Sequence, residues 1–238
     1  MLAVILSKLF KIQSLKKENK IKSCFLCNSI ATSVEHVPAK CFFPEDKRIN
    51  LITVPSCSKH NEDTSLDDQY IQTIIAMTKG GNTTAVSHFL HKGVAAFRKT
   101  PGLEKLITRN PKFFNFIKDD ESTKNLTYEV DRIRFDRVVR KIAYGLHFHK
   151  FKIVWNKELA ISTGRLVGPN NEPDPVFEGL KKHVFLSANA VFEGNNPDVF
   201  KYTFISFPSR KENFILMNFY EAFDVWAIPV EGTSVPNL

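Results

Sequence analysis

Two short ligand pairs, Cys24-x-x-Cys27 and Cys57-x-x-His60, constrain this chain more than any other feature. Zinc prefers four tetrahedral ligands drawn from Cys and His, and two ligands two residues apart reach one ion from a tight turn. The two pairs therefore predict one structural zinc site that fastens both ends of residues 24–60. That segment carries too little core to fold without such a clamp. The chain has 4 Cys, and three stand at metal-type spacing. This favours thiolates held by metal in a reducing compartment over disulfides. A redox Cys-x-x-Cys is disfavoured because no βαβ pattern surrounds it. Cys41 is off the spacing and reads as a small buried hydrophobe.

Polar groups that zinc does not use lie between and beside the knuckles. His36 is the one histidine between them. A neutral imidazole with a pKa near 6.5 can accept a proton from an attacking water. In an extended stretch Glu35 points to the opposite side from His36. A carboxylate beside an amide oxygen, here Glu35 with Asn61, can hold a hard divalent cation that keeps positions open for phosphate oxygens. Asn50 is placed to hydrogen-bond across a hairpin and fix the backbone that presents His36.

Glu35-His36-Val37-Pro38, then Asn50-Leu51, then Cys57-x-x-His60-Asn61 resembles the HNH endonuclease family of the ββα-metal superfamily, zinc-knuckle type. The resemblance covers residues 24–80. It implies that His36 is the general base, that Glu35 and Asn61 ligate a catalytic Mg²⁺ or Mn²⁺, and that Asn50 orients the base. It also implies structural Zn²⁺ on Cys24, Cys27, Cys57 and His60. Two residues depart from the family pattern: Glu35 stands where Asp is commoner, and His60 stands where the last zinc ligand is commonly Cys. The second departure leaves two assignments open. Either His60 binds zinc and Asn61 belongs to the catalytic site, or His60 is the family's final histidine and zinc keeps three protein ligands.

The rest of the chain is expected to be α+β. Residues 1–23 read as a basic amphipathic leader and residues 24–80 as the zinc-stapled module, with a short strand at 49–54. A helix starts near Ser65, where Ser65 and Asp68 suit a capping box, and carries Leu66, Tyr70, Ile74 and Met77 on one face. Gly80-Gly81 ends it. Residues 81–150 read as helical, most clearly at 131–148, where Phe135, Val139, Ile142 and Leu146 share a face. Residues 151–238 read as a Phe-rich, mostly antiparallel β region with strands at 184–192, 200–207 and 214–219.

A net charge of +8 and a pI near 9.3 favour a polyanionic partner. DNA is the expected partner and RNA the alternative. The excess clusters in residues 8–22 and 132–141, so Lys16, Lys17, Arg134, Arg137 and Lys141 are candidate backbone contacts. No apolar run reaches the roughly 20 residues of a membrane span, and the apolar start lacks a basic n-region and a cleavage site. A cytoplasmic protein is expected, with a protein partner for residues 151–238 a further expectation. His88, His91, His147, His149 and His183 read as packing or surface residues. The competing functional reading is a non-catalytic, zinc-dependent nucleic-acid-binding or protein-interaction module.

Overall fold

In the computed structural model of the chain, residues 23–233 are described apart from 28, 63–64, 100, 119–120, 167–173 and 187–190. The leader, with Lys16 and Lys17, lies outside the described residues. Strand β1 (Ser33–His36) pairs antiparallel with β2 (Thr53–Ser56), in a register that sets Glu35 opposite Val54 and His36 opposite Thr53. The Val37 N–H donates to the Ile52 carbonyl at 2.9 Å and closes the hairpin above His36. Pro55 is tolerated in β2 because the missing N–H would face away from β1. On that outer edge its carbonyl accepts from the Phe25 N–H of the first knuckle at 2.9 Å. The strand expected at 49–54 thus begins later, and Asn50 sits in a left-handed bend at φ 52°.

Helices α1 (Ser58–Glu62) and α2 (Ser65–Ala76) follow. The start of α2 matches the expectation, but its buried face does not. Leu66 is 64% exposed, whereas Asp67, Asp68, Ile71, Gln72 and Ile75 are buried with Tyr70. The inward acids meet cations from a distant helix, and this draws the face away from the apolar stripe. Helices α3 (Thr83–His88), α4 (Val94–Lys99) and α5 (Pro101–Ile107) come next. Asn82 caps α3 by accepting from the Ala85 N–H at 3.0 Å. The helical expectation then fails over residues 112–127, which form the hairpin β3 (Lys112–Lys118) and β4 (Glu121–Thr127). The aromatic-rich run Lys-Phe-Phe-Asn-Phe-Ile-Lys is compatible with a strand.

The long helix α6 (Arg132–Phe151) is capped by Asp131 and ends at Lys152 with φ 60°. Phe135, Val139, Ile142 and Leu146 are buried as expected. Beyond it lie β5 (Leu159–Ser162), α7 (Pro175–Leu186), β6 (Glu193–Asn196), β7 (Phe200–Ile205), β8 (Phe214–Phe219) and β9 (Phe223–Pro229). The strand expected from residue 184 gives way to the last turn of α7, while β7 and β8 fall where expected. The sheet is antiparallel in the order β5-β9-β8-β7-β6. Its central strand β8 is buried along its whole length. One face meets α6 and the first hairpin: Phe135 packs on Phe223 at 5.9 Å between ring centroids, and Phe42 on Phe219 at 5.5 Å. The other face holds Phe214, Leu216 and Trp226 against Phe177 of α7. One core joins Cys24, Val54, Ile71, Phe135, Tyr202 and Ala227, so the expected regions share their packing. Among the described residues no helix is long and apolar enough to cross a membrane.

Gly145 marks the closest approach of α6 to the hairpin. A Cβ there would lie 2.5 Å from Val37 Cγ2 and 2.9 Å from its Cγ1. Val37 is β-branched and buried, so it cannot rotate aside cheaply. Gly145→Ala should lower stability by about 1–3 kcal/mol despite its better helix propensity, as measured by denaturant unfolding.

Candidate functional site: a metal cluster beside a buried charge triad

Cys24 and Cys27 lie in a turn closed by the Cys24 N–H donating to the Ser29 carbonyl at 2.7 Å. Cys57 ends the run of β2, and His60 lies one turn into α1. The ligand atoms of Cys24, Cys27, Cys57 and His60 all fall within 4.8 Å of one another. His60 Nδ1 is 3.4 Å from the Cys24 Sγ and 3.4 Å from the Cys57 Sγ, and the Cys27 and Cys57 sulfurs are 3.8 Å apart. A tetrahedron with Zn–S of about 2.3 Å and Zn–N of about 2.0–2.1 Å has edges of about 3.8 Å and about 3.6 Å. The cluster therefore has the size and donor set of a closed site that could hold zinc. All four positions are protein ligands, which is the pattern of a structural site. Cys41 is outside the cluster; burial, then the nearby Asp68, pushes its thiol up to about 12.

Asn61 takes no part in the cluster. Its Nδ2 donates to the Ser33 Oγ at 2.9 Å, and that hydroxyl donates to the Ser56 carbonyl at 3.2 Å. This chain ties α1 to both strands. Of the two assignments that sequence left open, the geometry brings His60 to the sulfurs and leaves Asn61 on the hairpin.

Glu35 shares its strand face with Ser33, but its carboxylate goes elsewhere. Oε1 accepts from the Lys141 Nζ of α6 at 3.1 Å, and the same ammonium donates to Asp68 Oδ2 of α2 at 2.8 Å. All three side chains are under 10% exposed. Burial pushes the Glu35 carboxyl up, Lys141 opposes that shift, and Asp68 adds to it. The residues expected to ligate a catalytic divalent ion are each engaged by the protein: Glu35 by an ammonium and Asn61 by a hydroxyl. The expected Mg²⁺ or Mn²⁺ does not fit this arrangement.

His36, on the opposite face, is half-buried at the end of β1. Burial, and then the charge of Lys40, holds its pKa below the usual 6.5, which favours the neutral ring. Asn50 was expected to fix the backbone around it. Among the described residues that job falls instead to the Val37–Ile52 hydrogen bond, with the His149 ring of α6 lying beside the Thr53 backbone opposite His36. The Asn50 carbonyl accepts from Asn195 at 2.7 Å.

The expected phosphate contacts on α6 also need correction. Lys141 is buried in the triad and cannot reach a nucleic-acid backbone. Arg134 and Arg137 reach solvent, but both pair with Asp67, at 3.5 and 3.1 Å. His88 and His147 are packing residues, as expected: the first bonds to the Tyr220 hydroxyl at 2.7 Å and the second stacks on Trp155 at 4.4 Å. Burial pushes both down to about 4. Sequence reading missed Asp68 and Lys141 as partners. No local signal could have paired them, since Asp68 and Glu35 lie 73 and 106 residues from Lys141.

No family model, curated protein or solved structure matches this chain.

Proposed function

We propose that this chain is a zinc-stapled endonuclease of the HNH type that hydrolyses phosphodiester bonds in DNA. The observation that carries this reading is the position of His36. It stands at the end of a strand whose hairpin is clamped by the Cys3His cluster, half-exposed, favoured in its neutral form and beside a lysine. In this reading His36 takes the proton of an attacking water. The water oxygen bonds to phosphorus, the bond to the leaving sugar oxygen breaks, and that oxygen takes a proton from solvent. Lys40 offers positive charge to the phosphate beside the base. The surplus of basic residues supports a polyanionic substrate through backbone contacts, which position a duplex without reading its sequence.

His36→Ala should lower the rate of plasmid nicking by about 10²–10⁴-fold, the usual worth of a positioned general base. The pH profile should carry the same signature. The base works only when neutral, so the rate should fall on the acid side with a midpoint below 6.5, because the His36 pKa is lowered. A midpoint above 6.5 in the single-turnover rate would count against His36.

A second reading has its own support. Glu35 and Asn61 are both committed to protein partners, as in a module of this architecture that binds nucleic acid without cleaving it. That reading expects salt-sensitive DNA affinity, with no cleavage in either the wild type or His36→Ala.

A further inference from the structure

The contact between α6 and the first hairpin follows one stripe of the helix. Lys141, Gly145 and His149 are each separated by four residues, so they stack on one face. Each meets a different part of the hairpin: Lys141 meets Glu35, Gly145 the side chain of Val37, and His149 the backbone of Thr53. The first of these contacts is chemically unlike the others. It seats an ammonium between two carboxylates, from β1 and α2, in a place closed to solvent. A cation already stands where the two acids meet.

We infer that Lys141 is the resident cation of the Glu35–Asp68 pair and keeps divalent ions from it. The argument is one of charge and space. Two carboxylates brought together repel, and one positive group between them relieves that repulsion. The ammonium is held at 3.1 and 2.8 Å, within ordinary hydrogen-bond reach of both acids. A hard divalent ion would be drawn to these same carboxylates, and it would have to displace the lysine between them, whose side chain is 7% exposed. Glu35 then serves to anchor α6 on the hairpin, and α6 is a lock on the pair. The inference stands on the triad and is independent of whether His36 acts on a phosphodiester.

Mn²⁺ binding, followed by electron paramagnetic resonance on zinc-loaded full-length protein, tests it without an activity assay. The wild type and Glu35→Gln should give the same Mn²⁺ affinity within about twofold, or neither should bind. Lys141→Met removes the cation with little change of shape. With zinc content and circular dichroism as in wild type, it should bind Mn²⁺ at least tenfold more tightly, and Glu35→Gln added to it should abolish the gain. A tenfold loss of Mn²⁺ affinity in Glu35→Gln alone would overturn the inference, because Glu35 would then ligate the ion in the wild type. A folded Lys141→Met that binds no better than wild type would overturn it too. If Lys141→Met does not fold, the comparison of wild type with Glu35→Gln decides alone.

Discussion

Stripping the metal, or changing Cys57 to Ser, should unfold the hairpin and lower the melting temperature of the whole chain by more than about 10 °C. Structural zinc sites contribute about 10–16 kcal/mol of apparent binding free energy at pH 7. In a chain of this size each kcal/mol moves the midpoint by about 2–4 °C, so about half of that contribution is enough for the expected shift. The effect should not stay local. Cys24, Phe25, Val37, Phe42 and Val54 all belong to the core that reaches the sheet, so a released hairpin uncovers Phe219 and its neighbours. Scanning calorimetry with and without chelator measures this. A midpoint unchanged by chelator in fully demetallated protein would remove the clamp from the account.

Lys141→Ala should be the most costly single change outside the cluster, at about 3–5 kcal/mol. It removes the ammonium that joins two buried carboxylates. Replacing the whole triad, as Glu35→Met with Asp68→Leu and Lys141→Met, should recover most of that loss, because a buried ion group and a well-packed apolar group are often of similar worth. Urea unfolding of the two variants makes the comparison. An alanine variant within about 1 kcal/mol of wild type would mean that the triad is solvated in solution.

The Cys3His cluster was legible because its signal is local. The ligand types are few, the knuckle spacing is fixed by coordination geometry, and both pairs lie within one short segment. Helix α6 was legible for a similar reason: Phe135, Val139, Ile142 and Leu146 repeat at helical spacing without interruption. The charge triad was not legible. Lys141 stands in sequence among arginines that reach solvent, and its partners are 73 and 106 residues away. Nothing local distinguishes a lysine that meets two buried acids from one on a solvated face. The same blindness misplaced the inner face of α2, since Asp67 and Asp68 look like surface residues until their cations are known. At 112–127 and at 184–186, short aromatic and aliphatic runs are too brief for periodicity to separate a helix from a strand.

The family resemblance sorted the polar residues into a clamp and a reactive set. The geometry keeps the clamp, places His60 in it, and divides the reactive set. His36 stays accessible, Glu35 and Asn61 serve the packing of the hairpin, and the backbone at His36 is held by Val37 and Ile52.

The most direct measurement is nicking of supercoiled plasmid by zinc-loaded wild type and by His36→Ala of equal zinc content, with and without added Mn²⁺. The proposed function predicts relaxed and linear DNA with the wild type and almost none with the variant. Equal cleavage by both proteins, or no cleavage by either on DNA or RNA, would contradict it.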